Sequence, residues 1–164
     1  MVKETLLLVG HGSKLPYSKQ LLVDIAEKVK AQNKFENIEI GLMEFNEPSI
    51  PTALKKIIAD GTKRIIVVPV FLAPGTHTTK DIPTILGLLK EEHNHHDHDH
   101  HGHGHSHDHG HSHDHHDHGH SHGHGHHHHG EPVDIPDDVE IIYKEPLGAD
   151  DRIVQIVMER ALTE

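Results

Sequence analysis

A histidine-rich segment near the middle of the chain most limits how this protein can fold. Residues 93–129 hold all but two of the 24 histidines in the 164-residue chain, interleaved with Asp, Gly and Ser. A segment with almost no apolar side chains buries too little surface to offset the entropy lost on ordering. We therefore expect a disordered insert at residues 93–130, within a single domain that spans residues 1–164. The remaining sequence is long enough for one hydrophobic core but not for two.

The composition argues against several classes of protein. A net charge of −11 and an aromatic content of 3% give no support for nucleic-acid binding. The absence of cysteine excludes disulfides, thiolate metal ligands and thiol nucleophiles, and it fits a reducing cytosol. The apolar run at residues 5–9 is too short for a signal peptide or a membrane span. We therefore expect a cytoplasmic protein that does not enter a membrane.

Outside the histidine-rich segment, four strand-like apolar runs alternate with helical patterns. The predicted strands are residues 5–9, 38–43, 64–71 and 139–143. The run at 64–71 is apolar at most positions, which predicts burial on both faces. The third helical pattern, which continues into the histidine-rich segment, is marked by Ile82, Ile85, Leu86 and Leu89. The alternation predicts a three-layer α/β fold, a single lobe whose parallel sheet has flavodoxin-like strand order and helices on both faces.

Two isolated histidines follow strands of this predicted sheet. His11 lies between Gly10 and Gly12 after the first strand, and His77 lies in the loop after the third. Ligands of such sheets bind at the carboxyl ends of the strands. If the first and third strands are neighbours, the roots of these loops are about 5 Å apart. Neutral imidazoles bind cobalt, nickel, zinc and iron, so His11 and His77 are candidate ligands of one divalent ion.

Each of these edge residues also has a simpler interpretation. A single histidine such as His11 in a strand-ending turn often only completes local hydrogen bonds. Glu47 or Glu44 is available as a carboxylate ligand, and Glu47 has the alternative role of holding a substrate nitrogen or a ligating imidazole. Glu47 is equally typical of a solvated loop. Lys14 and Lys80 are placed to neutralise a carboxylated ligand, or they are simply solvated.

Motifs of several common enzyme classes are absent from the sequence. There is no G-x-x-x-x-G-K-[ST] P-loop, no G-x-G-x-x-G after the first strand and no G-x-S-x-G elbow. The Gly10-His11-Gly12 turn is related in pattern to the Arg-His-Gly of histidine phosphatases, but Gly10 replaces the arginine that would hold phosphate. ATP-driven, dinucleotide-dependent and phosphoryl-transfer chemistry are all disfavoured.

Four motifs taken together resemble the short sirohydrochlorin chelatases of archaea. The resemblance covers essentially all of the chain outside the histidine-rich segment, and it includes such an insert before the fourth strand. The motifs are Leu8-Val9-Gly10-His11-Gly12-Ser13, Met43-Glu44-Phe45 with Glu47-Pro48, Val68-Pro69-Val70-Phe71-Leu72 with Gly75-x-His77-Thr78-Thr79, and Glu145-Pro146-Leu147-Gly148.

This resemblance implies an ATP-independent chelatase without an organic cofactor. Its implied reaction inserts Co²⁺, and also Ni²⁺, into sirohydrochlorin, for cobalamin or for the nickel tetrapyrrole coenzyme of methanogenesis. It implies that His11 and His77 bind the metal, and that His11 is the catalytic proton acceptor. Because longer relatives have two such lobes, it implies a homodimer or a dimer of dimers with the tetrapyrrole between lobes. The implied substrate-binding residues are Glu47, Leu72, Ala73, Pro74, Gly75, Thr76 and His77.

Two other functions are compatible with the same residues. One is a non-catalytic metallochaperone or metal-storage protein, in which the histidine-rich segment is the functional part. The other is an iron chelatase for siroheme, because imidazole sites discriminate among these metals mainly by geometry and availability. The histidine-rich segment itself is interpreted either as a metal buffer or delivery arm, or as a tolerated surface loop.

Overall fold

A four-stranded parallel sheet forms the centre of the lobe. The computed structural model describes residues 1–89 and 132–164, so the insert predicted at residues 93–130 lies outside the described residues. The strands lie in the order β2-β1-β3-β4, with all neighbours parallel. The predicted α/β class and flavodoxin-like order are confirmed. The strands are β1 (Glu4–Gly10), β2 (Asn37–Leu42), β3 (Arg64–Pro69) and β4 (Glu140–Tyr143).

Helices connect the strands and lie on both faces of the sheet. Ser49 begins α2, because its hydroxyl oxygen accepts a hydrogen bond from the Thr52 N–H at 3.2 Å. Asp150 begins α4 in the same way, accepting from the Arg152 N–H at 2.9 Å. The helices are α1 (Tyr17–Lys30), α2 (Ile50–Ala59), α3 (Ile82–Ile85) and α4 (Asp151–Leu162), and one turn of π-helix at His77–Asp81 precedes α3.

The alternation of side chains along the strands produces two hydrophobic clusters. On one face α1 covers β1 and β2, and the buried residues are Leu6, Leu8, Leu22 and Leu42. On the other face α2 and α3 cover the sheet, with a core that includes Leu7, Val9, Ile50, Leu54, Ile57, Ile65, Val67 and Ile82. Val133 joins this second core where the described chain resumes, and its N–H donates to the Ile85 carbonyl at 3.2 Å.

The third helix is much shorter than its apolar pattern predicts. The spacing from Ile82 to Leu89 predicts two turns or more, but α3 ends at Ile85. The chain turns there because the N–H of Leu88 donates to the Pro83 carbonyl at 2.9 Å. The apolar side chains still serve the core, since Leu86 is buried. The apolar spacing therefore predicted the burial of Ile82, Ile85 and Leu86 correctly, but it was wrong about the length of the helix and about Leu89, which is exposed.

The composition of β3 predicts burial on both faces, but only one face is fully buried. Ile65, Val67 and Pro69 are buried, whereas Ile66 and Val68 on the opposite face are only half-buried. No helix among the described residues is both long enough and apolar enough to cross a membrane.

Candidate functional site

The loop after β1 is held in place by the loop after β2. The N–H of Met43 donates to the Gly10 carbonyl and that of Glu44 to the His11 carbonyl, each at 3.0 Å. Gly12 has a φ of +85°, and a Cβ there would lie 1.9 Å from the carbonyl oxygen of Glu44. Only glycine allows this approach. The glycine at position 12 therefore allows the loops after β1 and β2 to pack closely together beside His11.

The π-helical turn after β3 positions His77. The N–H of Ile82 donates to the His77 carbonyl, five residues back, which is the hydrogen bond that defines a π-helix. The Thr78 carbonyl accepts a hydrogen bond of 2.7 Å from the hydroxyl of Tyr143 at the end of β4. Burial, followed by the charge of Glu145, raises the pKa of Tyr143 to about 12. Strand β4 thus anchors the turn that carries His77.

The two candidate metal ligands meet as the strand order predicts. The ring centroids of His11 and His77 lie 4.9 Å apart at an interplanar angle of 67°. The ring of Phe71 lies on one side of His11, with centroids 6.4 Å apart. The structure therefore brings the only two histidines outside the insert into contact at the carboxyl edge of the sheet.

The hydrogen bonds of the two rings leave equivalent nitrogen atoms free for a ligand. Nδ1 of His11 lies 3.0 Å from the carbonyl oxygen of Gly12, and Nδ1 of His77 lies 2.7 Å from a carboxylate oxygen of Asp81. A carbonyl or carboxylate oxygen accepts, so each Nδ1 carries the proton and donates. In the neutral imidazole each Nε2 then keeps its lone pair. The pair can present two neutral nitrogen ligands.

Neither candidate glutamate joins this pair. Within residues 1–89 and 132–164, no group of three or more His, Cys, Asp or Glu side chains is arranged to hold a metal ion. The Glu47 side chain is exposed, and it accepts a hydrogen bond of 2.8 Å from the Ser49 N–H. A two-histidine, one-carboxylate set built on Glu44 or Glu47 is therefore not formed. The edge offers two imidazoles and leaves the remaining coordination positions open.

The loop after β3 presents an exposed rim beside the histidines. Leu72 is 62% exposed, and residues 73–76 are exposed as well. The loop after β4 supports it, because the N–H groups of Leu147 and Gly148 donate to the Phe71 and Leu72 carbonyls, each at 2.8 Å. The third motif and the fourth motif are thus adjacent parts of one surface.

Two residues at the site were missed by sequence reasoning. Asp81 is almost completely buried and pairs with His77 four residues earlier. That i, i+4 spacing within a helical region is visible in the sequence and was a usable signal. Tyr143 was assigned to a strand only, and nothing local in the sequence indicates that its hydroxyl reaches Thr78.

Comparisons with known proteins identify the family of the chain. Residues 5–116 match the CbiX family. The chain belongs to the CbiX family. The resemblance inferred from the four motifs is therefore confirmed, and this CbiX chain is of the short type.

Individual relatives support the same assignment. The CbiX chain is 63% identical over 158 residues to the sirohydrochlorin cobaltochelatase of Methanocaldococcus jannaschii, covering 96% of this chain and 97% of the relative. It is 55% identical over 159 residues to that of Methanococcus aeolicus, covering 96% and 97%. Among solved structures, SirB from Bacillus subtilis with Fe³⁺ has the same fold, with a TM-score of 0.62 at 24% identity. The match covers 97% of this chain but only 46% of SirB.

Proposed function

We propose that this chain inserts Co²⁺ into sirohydrochlorin without ATP. The predicted enzyme class is confirmed: the chain is a metal chelatase, as a CbiX member with relatives of this activity. The names of those relatives support sirohydrochlorin and cobalt as the substrates of this chain too. The observation that carries the proposal is the contact between His11 and His77, each with Nε2 free.

Co²⁺ is the substrate that the two imidazoles hold before transfer. Nitrogen ligands without thiolates give moderate affinity, which suits a site that must release its metal to four pyrrole nitrogens. The Asp81 carboxylate fixes the orientation of the His77 ring and strengthens its Nε2 as a ligand. Because no third side chain completes the site in the described residues, open positions remain for the incoming macrocycle.

Insertion of a divalent ion releases two N–H protons from the free-base macrocycle. As the metal moves from the protein to the pyrrole nitrogens, the Nε2 lone pairs of His11 and His77 become free. We assign the first proton to Nε2 of His11, which is exposed at the edge and can pass it to water. The second proton is taken by His77 or by solvent. No oxidant, reductant or organic cofactor is needed for this balance.

The macrocycle is proposed to lie across the carboxyl edge of the sheet. Phe45 and Leu72 are 61% and 62% exposed there, so apolar surface is available to a flat ring. We keep Glu47 and residues 72–77 as the substrate-binding set. Lys14, whose Nζ lies 5.6 Å from the centre of the Phe45 ring, is a candidate partner for the substrate carboxylates.

Several finer proposals follow from the family resemblance. Ni²⁺ is a second metal substrate. The products of the reaction are precursors of cobalamin and of the nickel coenzyme of methanogenesis. Iron insertion for siroheme is the alternative. The working form is a homodimer or a dimer of dimers, in the cytoplasm. The whole chain is one chelatase domain, in which the histidine-rich segment buffers or delivers metal.

The deciding experiment is an absorbance assay of sirohydrochlorin with Co²⁺, Ni²⁺ or Fe²⁺ in turn. We expect a spectral change with Co²⁺, and a loss of rate of about 100-fold or more in His11→Ala and His77→Ala. His93→Ala, in the histidine-rich segment, is the matched control and should retain the wild-type rate. A wild-type rate in His11→Ala would reject the assignment. No spectral change with any metal would favour the metallochaperone.

A further inference from the structure

The loop after β2 contains a backbone conformation that its sequence does not favour. The N–H of Asn46 donates to the Glu44 carbonyl, two residues earlier, at 2.9 Å. This hydrogen bond closes a γ-turn around Phe45, whose φ is +65°. A γ-turn with a positive φ is the rare and strained form, because the Cβ of its central residue is crowded against the backbone. Glycine would adopt it without this crowding, yet the chain has phenylalanine there.

Phenylalanine is an unusual residue at such a position. Within residues 1–89 and 132–164, Asn33 is the one other non-glycine residue with a positive φ. Asparagine tolerates that conformation because its short side chain forms local hydrogen bonds, here to the Ala31 carbonyl at 3.4 Å. A phenyl ring has no such bond to offer. Strained residues persist only where the surrounding structure enforces them, and they cluster at ligand-binding sites.

Two hydrogen bonds to the loop that carries His11 hold the γ-turn. The Glu44 N–H donates to the His11 carbonyl at 3.0 Å, and the Asn46 Oδ1 accepts from the Ser13 N–H at 2.9 Å. These bonds involve the residues on either side of Phe45, so the turn cannot relax unless the loops after β1 and β2 separate. Phe45 is therefore fixed beside the segment that carries His11.

The ring of Phe45 contributes little to the packing of the lobe. It is 61% exposed, and it is absent from the described residues that pack against either hydrophobic cluster. Its charged neighbour is Lys14, whose Nζ lies 5.6 Å from the ring centre. The strained turn therefore presents a phenyl face next to an ammonium group, at the edge that carries His11.

We propose that Phe45 is a specificity-determining residue, whose ring stacks on the conjugated face of the tetrapyrrole. The inference rests on the proposed function and deepens it, because it adds to the substrate-binding set a side chain that recognises a flat ring. Offset-stacked aromatic faces attract one another by more than the area they bury. A flat conjugated ring with carboxylates at its periphery matches a phenyl face beside the ammonium of Lys14.

Binding of metal-free sirohydrochlorin in EDTA, followed by the fluorescence of the macrocycle, tests the stacking. We expect Phe45→Ala and Phe45→Gly to weaken binding about 3- to 10-fold, and Phe45→Tyr to recover most of the loss. Val2→Ala is the control, because Val2 is 66% exposed and precedes β1, at the opposite end of the sheet.

A second macrocycle tests whether the ring recognises flatness. Uroporphyrinogen has the same kinds of carboxylate side chain, but saturated bridges between its pyrroles leave it without a conjugated face. Measured as a competitor of sirohydrochlorin, its affinity should change less than about 2-fold in Phe45→Ala. Equal losses for the two macrocycles would show that Phe45 supplies apolar area only, and the inference would be wrong.

The strain at Phe45 provides a measurement that a structural role would not satisfy. Glycine adopts a positive φ freely, whereas alanine keeps the Cβ. We therefore expect Phe45→Gly to unfold at a higher urea concentration than Phe45→Ala, and at no lower a concentration than the wild type, although both variants bind the macrocycle weakly. A Phe45→Gly protein less stable than the wild type would show that the ring supports the fold, and would overturn the inference.

Kinetics separates failure of this inference from failure of the proposed function. In the chelation assay Phe45→Ala should raise the KM for sirohydrochlorin and leave the KM for Co²⁺ unchanged. If Phe45→Ala binds and uses the macrocycle as the wild type does, the inference is wrong and the proposed function stands. If the wild type binds no sirohydrochlorin, the proposed function fails, and this inference fails with it.

Discussion

Nδ1 of His77 lies 2.7 Å from Oδ2 of Asp81, and the Asp81 side chain is 4% exposed. The two residues lie four positions apart, as the first and last residues of the π-helical turn. The carboxylate accepts a hydrogen bond from Nδ1 and so leaves Nε2 of His77 with its lone pair. Nδ1 of His11 likewise donates to the Gly12 carbonyl. In both rings Nδ1 is therefore the donor and Nε2 carries the lone pair.

We expect Asp81→Asn to weaken the use of metal rather than abolish the reaction. The amide oxygen can still accept from Nδ1, but without the negative charge that strengthens Nε2 as a ligand. Loss of such a partner costs about 10- to 100-fold in metal affinity. The measurement is the initial rate of chelation against free Co²⁺, set by a metal buffer, and the KM for Co²⁺ should rise more than kcat falls. Asp24→Asn, on the exposed side of α1, is the control. An unchanged KM would show that the pair has no role in holding metal.

We expect Gly12→Ala to destabilise the lobe by about 2–4 kcal/mol, because the added Cβ meets the Glu44 carbonyl in a left-handed backbone conformation. Gly61→Ala is a matched control: its φ is +79°, but no atom lies within 4 Å of the added Cβ. It should lose only about 1 kcal/mol. Urea unfolding of the two variants measures the difference. Equal losses would mean that the close approach of the two loops contributes nothing.

Tyr143→Phe should destabilise the protein at neutral pH and lose that effect in alkali. Removing the hydroxyl deletes the bond to Thr78, worth about 0.5–1.5 kcal/mol. In the folded protein the pKa of Tyr143 is about 12, above the ordinary 10. The folded state therefore holds its proton more tightly than the unfolded state, and this stabilisation declines as the pH rises from 10 to 12.

Two measurements check the Tyr143 prediction. Urea unfolding at pH 8 and pH 11 should give a smaller difference between wild type and Tyr143→Phe at the higher pH. The phenolate absorbance of the variant should lack the rise near pH 12 that the wild type shows. A difference in stability that stays constant over this range would contradict the assigned pKa.

Deletion of the histidine-rich segment should spare chelation when metal is abundant and impair it when metal is scarce. The reason is the proposed role of this segment, in which its imidazoles bind divalent ions and supply them to the site. The rate is measured at saturating Co²⁺ and at limiting Co²⁺ in competition with a chelator. As a control, the same length of Gly, Ser and Asp replaces the histidines. Equal losses under both conditions would argue against metal supply.

The sequence by itself determined the layer order, the strand order and the edge that carries the site. Period-two and period-3.6 apolar patterns are local, and right-handed connection of parallel strands leaves few arrangements. These rules were sufficient to place His11 and His77 on one edge, and the structure brings them together. Their roles as metal ligands remain predictions.

Only the tertiary structure decided the features that depend on distant parts of the chain. The π-helical turn that carries His77 is held by Tyr143 from another strand, through a hydroxyl that donates to the Thr78 carbonyl. Composition predicted that both faces of β3 would be buried, but Ile66 and Val68 on one face are only half-buried. The composition of a strand indicates how much of its surface is apolar. The path of the rest of the chain decides which of its faces is covered by another element.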